Sequence, residues 1–226
     1  MINLNRQRQM YYIFGKIVLI YSILFSGLNA EIRAQAFEGK IHSVKASGSD
    51  TSYVNYYIKG NSVRVDELDS RKKMTKFTIF NLSDNSIRVF SPDKKLFKLL
   101  KPSPYVPVEN KGFEINKTQN YKDIEGYRCY QWIVKNKETN TYVAYWVAQD
   151  SFFFFNDFLK LMNKSEKSSS YYLLIPDSKG FYPFEIEERT LLREFRMKMA
   201  VEEVKKEKID DKLFLIPNDY TSFDRP

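Results

Sequence analysis

Residues Ser52–Ile58 read SYVNYYI, and Ser62–Asp66 read SVRVD, with Lys59-Gly60-Asn61 between them. Apolar and polar side chains alternate on both sides of a glycine-containing break. Period two places successive side chains on opposite faces of a pleated strand, and glycine supplies the positive φ of a tight hairpin turn. This stretch is a β-hairpin, and the same pattern recurs in both directions along the chain. Lys76–Leu82 and Ile87–Ser91 flank Ser83-Asp84-Asn85, and Pro92-Asp93-Lys94-Lys95 turns into Leu96–Leu100. Phe113–Thr118, Tyr127–Lys135 and Thr141–Ala148 follow, the last two joined by Asn136-Lys137-Glu138-Thr139-Asn140. Tyr171–Ile175, Phe184–Thr190, Phe195–Val204 and Leu213–Ile216 complete the set of expected strands. The spacing predicts a mainly β chain: one curved antiparallel sheet of about 10–12 short strands.

Two segments need arbitration. Leu191–Lys208 holds good helix formers, but Phe195, Met197, Met199 and Val201 alternate with Arg196 and Lys198, so period two prevails. Residues 101–112 carry Pro102, Pro104 and Pro107 and read as a loop, because proline cannot donate to a sheet ladder.

One helix is expected, at about 151–163 (SFFFFNDFLKLMN), with Asp150 as its N-cap acceptor. At 100° per residue, Phe152, Phe154, Phe155, Phe158, Leu159, Leu161 and Met162 share one arc, and Asn156, Asp157, Lys160 and Asn163 the other. Phe153 falls among the polar residues. An aromatic there is either covered by a neighbouring loop or left for a ligand or partner.

The amino-terminal 36 residues read differently. Arg6, Arg8 and Lys16 precede an apolar run from Ile17 to Leu28, and the stretch ends Ala34-Gln35-Ala36, the small-x-small pattern of signal-peptidase cleavage. Twelve apolar residues are too few to span a bilayer, which takes about 20, so the segment reads as a cleavable signal peptide (1–36) rather than a retained anchor. Residues 37–226 then form a single β-rich domain, delivered to the periplasm or secreted. No cysteine lies near the cleavage point, which excludes a lipoprotein. The one cysteine, Cys129, stands beside Tyr127, Tyr130 and Trp132 and reads as a thiol packed in a strand.

Composition excludes several chemistries. The net charge is +8, but four basic residues and one acidic residue leave with the leader. The lysines at 205, 206 and 208 alternate with Glu202, Glu203 and Glu207, so no uninterrupted basic stripe points to nucleic acid. One histidine, His42, and one cysteine do not make a zinc or copper site. No GxGxxG, GxxxxGK[ST] or GxSxG segment is present, so no metal, cofactor or catalytic residue is assigned. Paired carboxylates stay open as the basis of a hydrolase, although the neighbours Glu187-Glu188, Glu202-Glu203 and Asp210-Asp211 would point to opposite faces of a strand.

Phe37-Glu38-Gly39-Lys40-Ile41, Tyr57-Ile58-Lys59-Gly60-Asn61 with Arg64, and Ile124-Glu125-Gly126-Tyr127-Arg128-Cys129 form a recurring set of short motifs. Tyr145-Trp146-Val147-Ala148 precedes the expected helix, and Leu213-Phe214-Leu215-Ile216-Pro217-Asn218-Asp219-Tyr220 ends the domain. In these the chain resembles the DUF4412 family of secreted bacterial domains. That family is in turn similar to the periplasmic lipoprotein carriers and their outer-membrane receptors. The resemblance implies an incomplete β-barrel whose concave face is covered by the 151–163 helix and holds acyl chains. Phe152, Phe153, Phe155, Phe158 and Met162 would then contact the ligand, a lipid or an acylated protein, with no enzymatic activity. The alternative is a protein-interaction or structural module whose aromatic interior is filled. A cavity of roughly 300 Å³ or more separates the two.

Overall fold

The computed structural model describes residues 36–109, 111–163 and 166–223. Of the leader expected over residues 1–36, residues 1–35, Ala34 included, lie outside the described residues. Everything below belongs to the unit Ala36–Pro226.

Twelve strands form one open, curved sheet that does not close into a barrel. They are β1 (Gly39–Ser47), β2 (Asp50–Lys59), β3 (Ser62–Leu68), β4 (Met74–Asn81), β5 (Ser86–Ser91), β6 (Leu96–Leu100), β7 (Phe113–Ile124), β8 (Tyr127–Asn136), β9 (Thr141–Phe152), β10 (Gly180–Arg189), β11 (Phe195–Lys206) and β12 (Thr221–Ser222). Their order across the sheet is β12-β6-β5-β4-β3-β2-β1-β11-β10-β9-β8-β7. All pairs are antiparallel except β12 with β6. The hairpin read from Ser52–Asp66 is present: Lys59 pairs with Ser62 across Gly60, whose φ is +55°. Continuity comes from β1 pairing with β11 along its whole length, which joins early and late parts of the chain at mid-sheet.

Alternation sorts the sheet into two faces. Ile41, Val54, Ile58, Val63, Val65 and Phe80 join the main core on the concave side. Phe77, Ile79 and Phe90 face the convex side, where Ile209 and Phe214 of the carboxy-terminal segment cover them. Arg64 stands beside this second cluster. Its Nε donates to Asp66 Oδ1 at 2.7 Å, Nη1 donates to the Leu213 carbonyl at 3.1 Å, and the guanidinium lies 4.1 Å from the Phe77 ring centre.

Helix α1 (Phe154–Met162) packs on the concave face and buries Phe154, Phe155, Phe158, Leu159 and Leu161. Asn163 closes it in the left-handed conformation, φ +44°, with its N–H donating to the Leu159 carbonyl. A short helix α2 (Lys167–Ser170) and a 3-10 turn (Tyr172–Leu174) continue over the same face.

Three sequence expectations are corrected. The helix starts three residues later than expected, because the β9–β10 ladder runs on until Gly180 pairs with Phe152. Asp150 is therefore no N-cap; it accepts from the Ser151 N–H and pairs with Lys206. Tyr171–Ile175 and Leu213–Ile216 are not strands. The first holds the 3-10 turn just described and the second overlaps another, Asp211–Phe214. Both lie over a face of the sheet, where every ladder group already points sideways to a neighbouring strand. Aromatic and branched residues there bury themselves without a partner to pair with.

Candidate functional site

Between α1 and the concave face lies a cavity of about 540 Å³. Its origin is a mismatch of side-chain lengths. Over β10 the helix meets a large ring, with Phe155 4.7 Å from Tyr182 between ring centres. Over β2 to β5 the wall includes Val54, Val65, Thr78, Ile87 and Val89, short branched side chains set among Tyr56 and Phe80, whose rings do meet the helix at Phe158. The remaining wall includes Phe80, Leu159, Ile186, Met197 and Met199. Phe158 forms part of the roof, edge-on to Phe80 at 4.9 Å and to Tyr56 at 6.2 Å.

Polar groups gather toward one side. Lys45 Nζ meets Glu166 Oε2 at 3.5 Å, joining β1 to the residue that opens α2. Lys76 Nζ meets Glu67 Oε1 at 2.8 Å across β3 and β4. The Tyr56 hydroxyl is pushed far above its ordinary value, first by burial and then by the carboxylates of Glu67 and Glu166. Tyr182 is raised for the same first reason. Both hydroxyls therefore stay protonated at neutral pH and offer hydrogen bonds without charge. The site is an apolar pocket with a rim of paired ions.

Of the five aromatic and methionine residues singled out from the sequence, Phe155, Phe158 and Met162 line this cavity. Phe152 does not. It is a strand residue enclosed by Phe37, Tyr127, Tyr182 and Phe184. Phe153 does not either: it precedes α1, is 39% exposed, and its ring lies beside Gly180. The branched residues of β2 to β5 and the two ion pairs were not identified from sequence. Alternation does place Val63 and Val65 on one face, but only the fold says that a helix stands off above them.

Several other ionisable groups have structural partners. His42 contacts Asn55 and Glu202. Glu187 binds Arg189, Glu203 binds Lys205, Asp211 binds Lys59, and Asp210 caps the Lys212 N–H. Cys129 is buried, and burial pushes its thiol up to about 12. Among the described residues no three His, Cys, Asp or Glu side chains cluster for a metal, and no helix is long and apolar enough to cross a membrane.

A family model described as domain of unknown function DUF4412 matches residues 37–220. The chain belongs to the DUF4412 family. The match runs from the Phe37 motif to Tyr220. No curated protein sequence matches the chain. Among solved structures, an uncharacterized conserved protein from Thermus thermophilus is similar at 7% identity and TM-score 0.49, over 82% of this chain and 90% of that one. A chain of the Pseudomonas aeruginosa MucA/MucB complex is similar at 7% identity and TM-score 0.48, over 80% of this chain and 56% of that one. A putative outer membrane lipoprotein-sorting protein domain from Vibrio parahaemolyticus is similar at 6% identity and TM-score 0.31, over 78% of this chain and 87% of that one.

Proposed function

We propose that this DUF4412 chain is an exported, non-enzymatic binding module of the cell envelope that holds the acyl chain of a lipid or acylated protein beneath α1. The observation that carries the reading is the cavity of about 540 Å³ between α1 and β2–β5. It is within the roughly 300–1,000 Å³ range of ligand pockets and is lined mainly by apolar side chains, as such pockets are. Acyl groups bind by leaving water, at about 0.8 kcal/mol per buried methylene. The rim ion pairs Lys45–Glu166 and Lys76–Glu67 carry no excess charge toward the ligand. The polar end of such a ligand would meet them and the neutral hydroxyl of Tyr56. The leader expected from the sequence of residues 1–36 supports the envelope as the place of action.

The test is titration of the full chain with cis-parinaric acid, followed by its fluorescence. Val65→Phe extends a ring from β3 into the void. It should weaken the probe about tenfold or more while shifting stability by no more than about 1–3 kcal/mol. A native chain that does not take up the probe would overturn the reading, as would unchanged affinity in a folded Val65→Phe variant.

A further inference from the structure

The β10–β11 connection presents an apolar tip that the fold itself does not use. Leu192 is 81% exposed, Phe195 41% and Leu191 37%, three apolar side chains within five residues. A loose loop would explain them cheaply, but this turn is braced. The Thr190 N–H donates to the Glu194 carbonyl and the Arg193 N–H to the Thr190 carbonyl, both at 2.9 Å. The Glu194 N–H donates to Thr190 Oγ1, and Thr190 itself is buried. From the sides, Asn140 of the β8–β9 turn accepts the Leu191 N–H, and Arg189 Nη1 donates to the Arg193 carbonyl. The backbone thus holds two leucines outward in a fixed arrangement, so little ordering entropy is left to lose on docking.

The charge around the tip is asymmetric. Strand directions put the β1–β2, β3–β4, β5–β6, β8–β9 and β10–β11 turns at one end of the sheet. The second, third and last of these carry Arg71, Lys72, Lys73, Lys94, Lys95 and Arg193 against Asp69, Asp93 and Glu194, and the other two turns add no net charge. The three hairpin turns at the opposite end hold Asp84 and Glu125 and no lysine or arginine. Arg193, between the leucines and Phe195, has no carboxylate within 4 Å among the described residues. Tyr142, on the neighbouring strand, is raised first by burial and then by Glu187, with Arg193 and Arg189 acting against that.

We infer that the Leu191–Leu192 tip docks the chain onto an anionic phospholipid surface, the leucines and Phe195 entering the interface while the basic turns face the headgroups. Apolar burial plus attraction to anionic lipid is the pairing by which monotopic proteins hold a bilayer. The placement suits the cavity, since Met197, two residues beyond Phe195, is part of its wall, and Lys45, Ser52 and Asp69 line it near the same end.

The experiment places an indole at the tip of the full chain, Leu192→Trp, and adds vesicles of phosphatidylcholine alone or mixed with phosphatidylglycerol, some with brominated acyl chains. With the anionic vesicles the introduced indole should shift its emission to the blue and be quenched by bromine, and added salt should reverse both. Sedimentation with the same vesicles should weaken about tenfold or more for Leu191→Ser/Leu192→Ser, with the thermal midpoint unchanged. An indole that stays water-exposed on anionic vesicles would overturn the inference, as would equal binding by the double variant. A tip protected only by a protein partner, with no response to lipid, would overturn it too. The introduced indole and the double variant report on the tip, which does not line the cavity, so their failure leaves the acyl-binding reading to its own test.

Discussion

The Tyr145 hydroxyl, at the centre of β9, donates to the main-chain carbonyl of Ser168 at 2.9 Å. It thereby fastens β9, third from the β7 edge of the sheet, to α2, one wall of the cavity. Tyr145 is fully buried and edge-on to Tyr172 at 5.4 Å. Tyr145→Phe keeps the ring and leaves a buried carbonyl without its donor, at a cost of about 1–3 kcal/mol. Amide exchange should quicken over 166–175 before it does elsewhere. An unchanged melt with unchanged exchange there would show that α2 is held by packing alone.

On the opposite face, Arg64 and Asp66 are an ion pair shielded by Phe77 and the carboxy-terminal segment. Arg64→Ala strands a buried carboxylate, so unfolding free energy should fall by about 3–5 kcal/mol. Arg64→Ala combined with Asp66→Ala should recover part of that loss. Urea melts of the two variants decide it, and a double variant no more stable than the single one would show that the pair does not act as a unit.

Alkaline stability follows from groups that the fold keeps protonated. Burial raises the Cys129 thiol from its ordinary 9.0 to about 12, and raises Tyr145, Tyr172 and Tyr182 above the tyrosine value of 10.0. The folded chain binds these protons more tightly than the unfolded one. Their contribution is therefore whole below about pH 9 and declines as pH rises through the window from 9.0 to about 12. Urea midpoints should be level from neutrality to about 9 and fall at about one unit above the ordinary tyrosine value. In the native state Ellman's reagent should reach Cys129 far more slowly than in denaturant.

Phe153 separates the helix read from sequence from the helix that forms. Its ring is off the cavity and half-covered beside Gly180, whose φ of +86° and close approach exclude a side chain. Phe153→Ser should cost about 1 kcal/mol, between a surface change and a buried truncation. It should leave cis-parinaric acid affinity unaltered. A large loss of probe with a normal melt would place Phe153 in the ligand's path.

Strand identity was legible because alternation is local. The β2–β3, β4–β5 and β5–β6 turns are announced by Gly60, Asp84-Asn85 and Pro92, and between them alternate side chains take opposite faces, Phe80 the concave one and Phe77 and Ile79 the convex one. Even Phe195–Lys206, composed of helix formers, keeps period two and is a strand. The aromatic run at 152–158 announced a buried element in the same way. Its start was not legible, because Phe152 extends β9 only through a ladder with Gly180, 28 residues further on. The same limit applies to Tyr171–Ile175 and Leu213–Ile216, whose composition suits a strand but which lie over faces already paired in plane. The cavity belongs wholly to tertiary structure. Val54, Val65 and Val89 are ordinary core residues by sequence, and they bound a void only because a nine-residue helix, carried on large rings elsewhere, is held above them. Backbone period is set by neighbouring residues; empty space is set by how far apart distant elements come to rest.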